Sequence, residues 1–233
     1  MAKKYSFGAV RLLGLLAVVY GIAGIVSSLY TYYAASETVT EFLEFLVDVY
    51  FSSSLTVFEM AYYVIFTIFG LIYMFNTKPS LNIAGFNPKA YAMIGFTFLF
   101  TIHNVLYFLV YYPFDFSLPT EFSWGVVKGY AMNIYCSFGE ILMIIALMNY
   151  LRGGKVVRKL LFFTFLLSFI MAAIDGLVGV ETLIDAVKAS KGIGETSTLI
   201  HNISFIVITF MLMMFSFSHD RRLKKKKKAE EED

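Results

Sequence analysis

Five carboxylate or imidazole side chains lie inside stretches that are otherwise largely apolar: Glu59, His103, Glu140, Asp175 and His201. Asparagines stand beside or near them at Asn104, Asn133 and Asn202. Carboxylates and imidazoles are the groups that bind cations, relay protons and hold Zn²⁺ or Fe²⁺. A charge at the centre of a bilayer helix costs about 2.5–3.5 kcal/mol on insertion scales. Such groups therefore belong on the interior of a bundle, where they mark a site by default. No Lys or Arg lies at the same depth, so the carboxylates stay protonated, pair with a histidinium or hold a cation. Each outcome couples the site to protons or metal ions, and none suits an anion.

The elements that must position these groups follow from composition. Of 233 residues, 58% are hydrophobic and 15% charged, where a soluble domain runs nearer half and a quarter. A chain this short has no aqueous core large enough for so much apolar surface. That excludes a soluble enzyme, a disordered chain and a nucleic-acid binder. Crossing the hydrocarbon core takes about 20 apolar residues. Six stretches qualify: Leu12–Tyr33, Leu55–Phe75, Ala90–Tyr112, Gly125–Tyr150, Leu160–Val180 and Ser197–Phe217. The four prolines, Pro79, Pro88, Pro113 and Pro119, all fall between them. The first stretch is too long for a signal-peptide core and reads as a span.

Sixteen of the nineteen Lys and Arg residues fall on one side of a six-span arrangement, and Lys128, Lys188 and Lys191 on the other. The positive-inside rule then puts both ends of the chain in the cytoplasm and the protein in the cell membrane as a multi-pass bundle. On the outer side, Glu37, Glu41, Glu44 and Asp48 recur at helical spacing on one face, and Phe42, Leu43, Phe45, Leu46, Val49 and Tyr50 cover the rest. This predicts an amphipathic interfacial helix over 37–51. The tail from Asp220 concentrates Arg221, Arg222 and Lys224, Lys225, Lys226, Lys227 and Lys228, followed by four acidic residues. It reads as a disordered charged segment over 220–233 whose lysines meet anionic lipids at the cytoplasmic face.

Helical spacing lines up small or polar residues along the spans. Gly14, Ala17, Gly21, Gly24 and Ser28 in the first span form a packing stripe. Glu59 shares a face with Thr56, Tyr63, Gly70 and Tyr73, and His201 and Asn202 share the last span with Thr198 and Thr209. At about 1.5 Å per residue, Glu59, His103, Asn133, Asp175 and His201 fall in the outer half of the bundle, and Glu140 past its middle. Glu59, His103, Asp175 and His201 are therefore the expected cation-binding set, with Asn104, Asn133, Glu140 and Asn202 along the pathway.

The reading that follows is an all-α membrane transport protein for a cation or a proton-coupled small solute. A non-catalytic subunit or assembly factor of a membrane complex is the first alternative, and a homo-oligomer fits either reading. A metal- or haem-dependent membrane enzyme is the second. It lacks a His-Glu-x-x-His signature, and His103 and His201, the one pair available for a haem iron, differ in depth by about 7 Å. The single Cys136 permits neither an internal disulfide nor a Cys-x-x-Cys motif. No phosphate loop or nucleophile elbow is present. The repeated Ile-His-Asn triplet at 102–104 and 200–202 is short enough to arise by chance.

Overall fold

A computed structural model describes residues 8–52, 54–75, 92–100, 165–174 and 192–231, with residues 102, 123, 126, 145, 162, 163 and 184 between them. Regular structure among the described residues is entirely helical. Four helices organise it: α1 Gly8–Ala34, α2 Val39–Ser52, α3 Ser54–Phe75 and α4 Ile193–Glu231. Helical stretches at 92–100 and Phe165–Ile174 fall within the third and fifth expected spans. The stretches Gly8–Ala34, Val57–Phe75 and Ile193–Ser216 are long and apolar enough to cross a membrane. The fourth expected span, 125–150, lies almost wholly outside the described residues.

The central helix is α1, which packs against both α3 and α4. Its contacts with α3 run from Gly14 against Gly70 and Met74 to Gly24 against Tyr63. Its contacts with α4 run from Tyr20 against Phe205 and His201 to Tyr30 against Gly194. Numbers rise on α1 as they fall on its partners, so α1 is antiparallel to both. The start of α1 and the C-terminal halves of α3 and α4 therefore share one end of the bundle.

The α1–α3 seam depends on glycine. A Cβ on Gly14 would stand 2.7 Å from the Gly70 carbonyl oxygen and 2.7 Å from the Met74 amide. A Cβ on Gly70 would stand 2.7 Å from the Gly14 carbonyl oxygen. The two backbones thus touch at a point where any side chain would force them apart. Gly21 continues the seam, where a Cβ would collide with the Thr67 hydroxyl. The small-residue stripe of the first span is a packing stripe, as its spacing predicts.

Around this seam the core is aromatic and aliphatic. Leu13, Ala17 and Phe66 are fully buried, and Phe96 and Phe100 bring 92–100 onto α3 and α4. Phe165–Ile174 reaches α4 through Phe169 and Phe210. The opposite faces are also apolar: Ile200, Ile203, Val207, Phe210 and Met214 form an exposed row along α4, and Val64, Ile68, Leu71 and Ile72 another along α3.

Between α1 and α3 the chain turns sharply through Ala35 and Ser36, whose amides bond to the carbonyls of Tyr32 and Tyr33. Thr38 then caps α2: its Oγ1 accepts the Glu41 amide at 3.1 Å, while a Glu41 carboxylate oxygen accepts the Glu37 amide at 2.7 Å. This reciprocal arrangement satisfies two amides at a helix start. On α2, Phe42 and Phe45 lie against Tyr33 and Tyr32 of α1. Glu41, Glu44 and Asp48 are exposed, and so are Val39, Leu43 and Val47 on the other side.

The main departure from the sequence reading is at the C-terminal end. The last helix begins four residues early, at Ile193, and does not end near Phe217; it continues through the lysines to Glu231. Residues 221–231 are Arg, Leu, Lys, Ala and Glu, all strong helix formers, and Lys226–Glu230 and Lys227–Glu231 are spaced i, i+4. Propensity and spacing outweigh the repulsion that had pointed to an unstructured tail.

Candidate functional site at the α1–α4 seam

The second seam of α1 is built differently. Across it, side chains bond to the opposing helix. Ser27 Oγ lies 2.6 Å from Thr198 Oγ1. The Thr198 hydroxyl donates to its own Gly194 carbonyl at 3.0 Å, so Ser27 is the donor between them. One α4 turn begins with Ser197, whose hydroxyl donates to the Ala23 carbonyl at 3.2 Å. One turn deeper, His201 Nδ1 lies 3.2 Å from the Tyr20 carbonyl oxygen. A carbonyl only accepts, so Nδ1 carries the hydrogen; a neutral ring then has its basic nitrogen at Nε2.

The imidazole is held by rings as well. Tyr20 stacks on it with centroids 4.1 Å apart, and Tyr63 of α3 meets it edge-on at 5.2 Å. Tyr20 is only 5% exposed and also packs on Phe66 and Phe205. Tyr62 and Tyr63 stand side by side, and Tyr63 meets Tyr20 at 5.9 Å. Glu59, half-buried, precedes Tyr63 by one turn of α3. An aromatic ring face favours a cation above it, so this setting accommodates a charged as well as a neutral imidazole.

Tyr63 links the two positions: His201 meets its ring edge-on, and Glu59 lies one turn away along α3. Asn202, beside His201, is half-buried. His103, Asn104, Asn133, Glu140 and Asp175 lie outside the described residues, and among the described residues no three His, Cys, Asp or Glu side chains gather as a metal site would require. Other members of the polar stripes have a local role. Thr67, Thr97, Thr209 and Ser216 each donate to a carbonyl of their own helix, at Tyr63, Met93, Phe205 and Met213. That satisfies the hydroxyl where it stands and leaves these positions compatible with an apolar surround.

Sequence reasoning missed Tyr20. Its signal was position: α1 has Tyr30, Tyr32 and Tyr33 near one end, where tyrosines meet a membrane interface, whereas Tyr20 stands at mid-helix. A buried mid-span phenol needs a partner, which is a reason to single it out.

The family models, the curated proteins and the solved structures contain no match to this chain.

Proposed function

We propose that the protein is a six-span integral membrane protein of the cell membrane that transports a cation or a proton-coupled small solute. Both ends of the chain lie on the cytoplasmic side, and α2 lies in the outer interface with its acidic row toward water. The exposed apolar rows of α3 and α4 face lipid in this arrangement, and the antiparallel order of α1 against its two partners suits the charge bias of the connections.

One observation carries the functional reading. An imidazole bonded to a helix carbonyl is enclosed by Tyr20 and Tyr63, and Glu59 precedes Tyr63 by one turn of the same helix. A clasp that merely joined helices would need a hydrogen bond but not two ionisable groups, whose insertion cost is justified where charge must move. His201 takes up a proton at Nε2 while Nδ1 stays on the Tyr20 carbonyl, so the ring changes charge without losing its position. Glu59 supplies the balancing negative charge near the outer end of the pathway. Asp175, His103 and the asparagines Asn104, Asn133 and Asn202 extend the same pathway in this reading, and Glu140 serves its inner half.

Reconstituted vesicles test this. A pH-sensitive dye inside and an imposed potassium diffusion potential report proton entry, and a panel of monovalent and divalent cations is screened in parallel. Loss of flux in Glu59→Gln, with normal folding and insertion, supports the reading. Full wild-type flux in that variant removes Glu59 from the mechanism.

A further inference from the structure

The helical continuation of α4 gives the basic run a geometry that a loose tail would lack. The apolar part of α4 ends at Ser216, and the helix carries on to Glu231. At 1.5 Å per residue, Arg221 and Arg222 stand about 8–9 Å beyond Ser216, Lys224 about 12 Å and Lys228 about 18 Å. The headgroup layer on one side of a bilayer is about 5–8 Å thick. On a helix near the membrane normal the two arginines fall at the outer edge of that layer. Lys224 and Lys225 fall within one Debye length of it, about 8 Å at physiological salt, and Lys227 and Lys228 lie at or past that length. Tilt shortens every distance by the same factor, so the order is kept.

The antiparallel packing adds a second contribution. Arg11 is exposed on α1, three residues before Gly14, which meets the C-terminal part of α3 at Gly70 and Met74. It therefore lies at the same end of the bundle as the α4 extension. A basic residue on one helix and a basic run on another then lie at the same end of the bundle.

We propose that this end is a binding surface for anionic lipid headgroups, with affinity concentrated in Arg11, Arg221, Arg222 and Lys224 and falling off toward Lys228. It rests on the membrane placement above and is independent of transport. A flexible polycation would weight all seven tail charges alike; a continuous helix ranks them by distance. Arginine also suits the inner positions chemically, because its fork bonds two phosphate oxygens at once, whereas lysine acts as a point charge.

The test uses the full-length protein in mild detergent, titrated separately with phosphatidylserine and phosphatidylcholine, with bound lipids counted by native mass spectrometry. Phosphatidylserine should be preferred, and the preference should shrink as ionic strength rises from about 0.15 M to 1 M. Arg221→Gln/Arg222→Gln should weaken phosphatidylserine retention about tenfold or more, and Lys227→Gln/Lys228→Gln less than about threefold. Unchanged melting of each variant checks that the bundle core is intact. Equal binding of the two lipids overturns the proposal, and so does an equal loss in the two double variants. Capture of an acidic protein through the tail without any phosphatidylserine preference assigns the surface to a protein partner and also overturns it. Flux measurements play no part, so failure here leaves the transport reading standing.

Discussion

Helix α1 has two seams of opposite character. Against α3 it offers glycines, so backbone meets backbone at Gly14 and Gly70. Against α4 it offers Ser27, the Ala23 carbonyl and the Tyr20 carbonyl and ring, which hold Thr198, Ser197 and His201. In lipid the hydrophobic effect contributes nothing to helix association, leaving close packing and interhelical hydrogen bonds. One helix uses each of these means on a different side. Close packing at Gly14 and Gly70 fixes position; the bonded seam contains an imidazole as well and can do both. Chemistry is therefore expected at the α4 seam, with Glu59 contributed by the far end of α3, and rigidity at the Gly14–Gly70 contact.

The sharpest way to break this contrast is on the glycine side. Gly14→Val or Gly70→Val should cost about 1–3 kcal/mol or more, because the obstructing atoms are backbone and cannot rotate aside. Thermal unfolding in detergent measures it. The two substitutions touch the same contact, so the double variant should lose clearly less than the sum of the singles.

On the polar side the expected losses are smaller in stability and larger in function. Ser27→Ala or Thr198→Val should cost about 0.6–1.7 kcal/mol, the range for hydrogen bonds between membrane helices, with flux retained. A double-mutant cycle on that pair isolates the bond itself. Smaller still in its reach is Thr38→Ala, which removes the α2 cap. About 1 kcal/mol of local helix stability should go with it. Hydrogen exchange should show faster opening at the start of α2 and leave α1, α3 and α4 unchanged.

How much of this was legible beforehand differs between the seams. Gly14, Gly21 and Gly24 announce close packing by spacing alone, because small residues on one face have few other uses in a span. What they pack against is not written locally: Gly70 becomes their counterpart only once the antiparallel register is known. His201 lies eight residues past Ile193, the start of α4, and its ring partners come from α1 and α3, which spacing along α4 alone does not reveal. Tyr20 was hidden by abundance, since aromatic residues make up 18% of the chain and one more tyrosine draws no notice. Its importance comes from which helix lies opposite. In the tail, charge repulsion and helix propensity point in opposite directions, and the helix runs on to Glu231.

The central claim is that the α4 side of α1 works while the α3 side holds. It is tested most directly by proton flux into reconstituted vesicles, comparing His201→Gln with Gly14→Ala, each normalised to folded, inserted protein. The account predicts at least about a tenfold loss of flux for His201→Gln, the size of one lost acid–base group or more, and near wild-type flux per folded molecule for Gly14→Ala. Equal losses in the two variants, full activity in His201→Gln, or wild-type flux no greater than that of protein-free vesicles would contradict it.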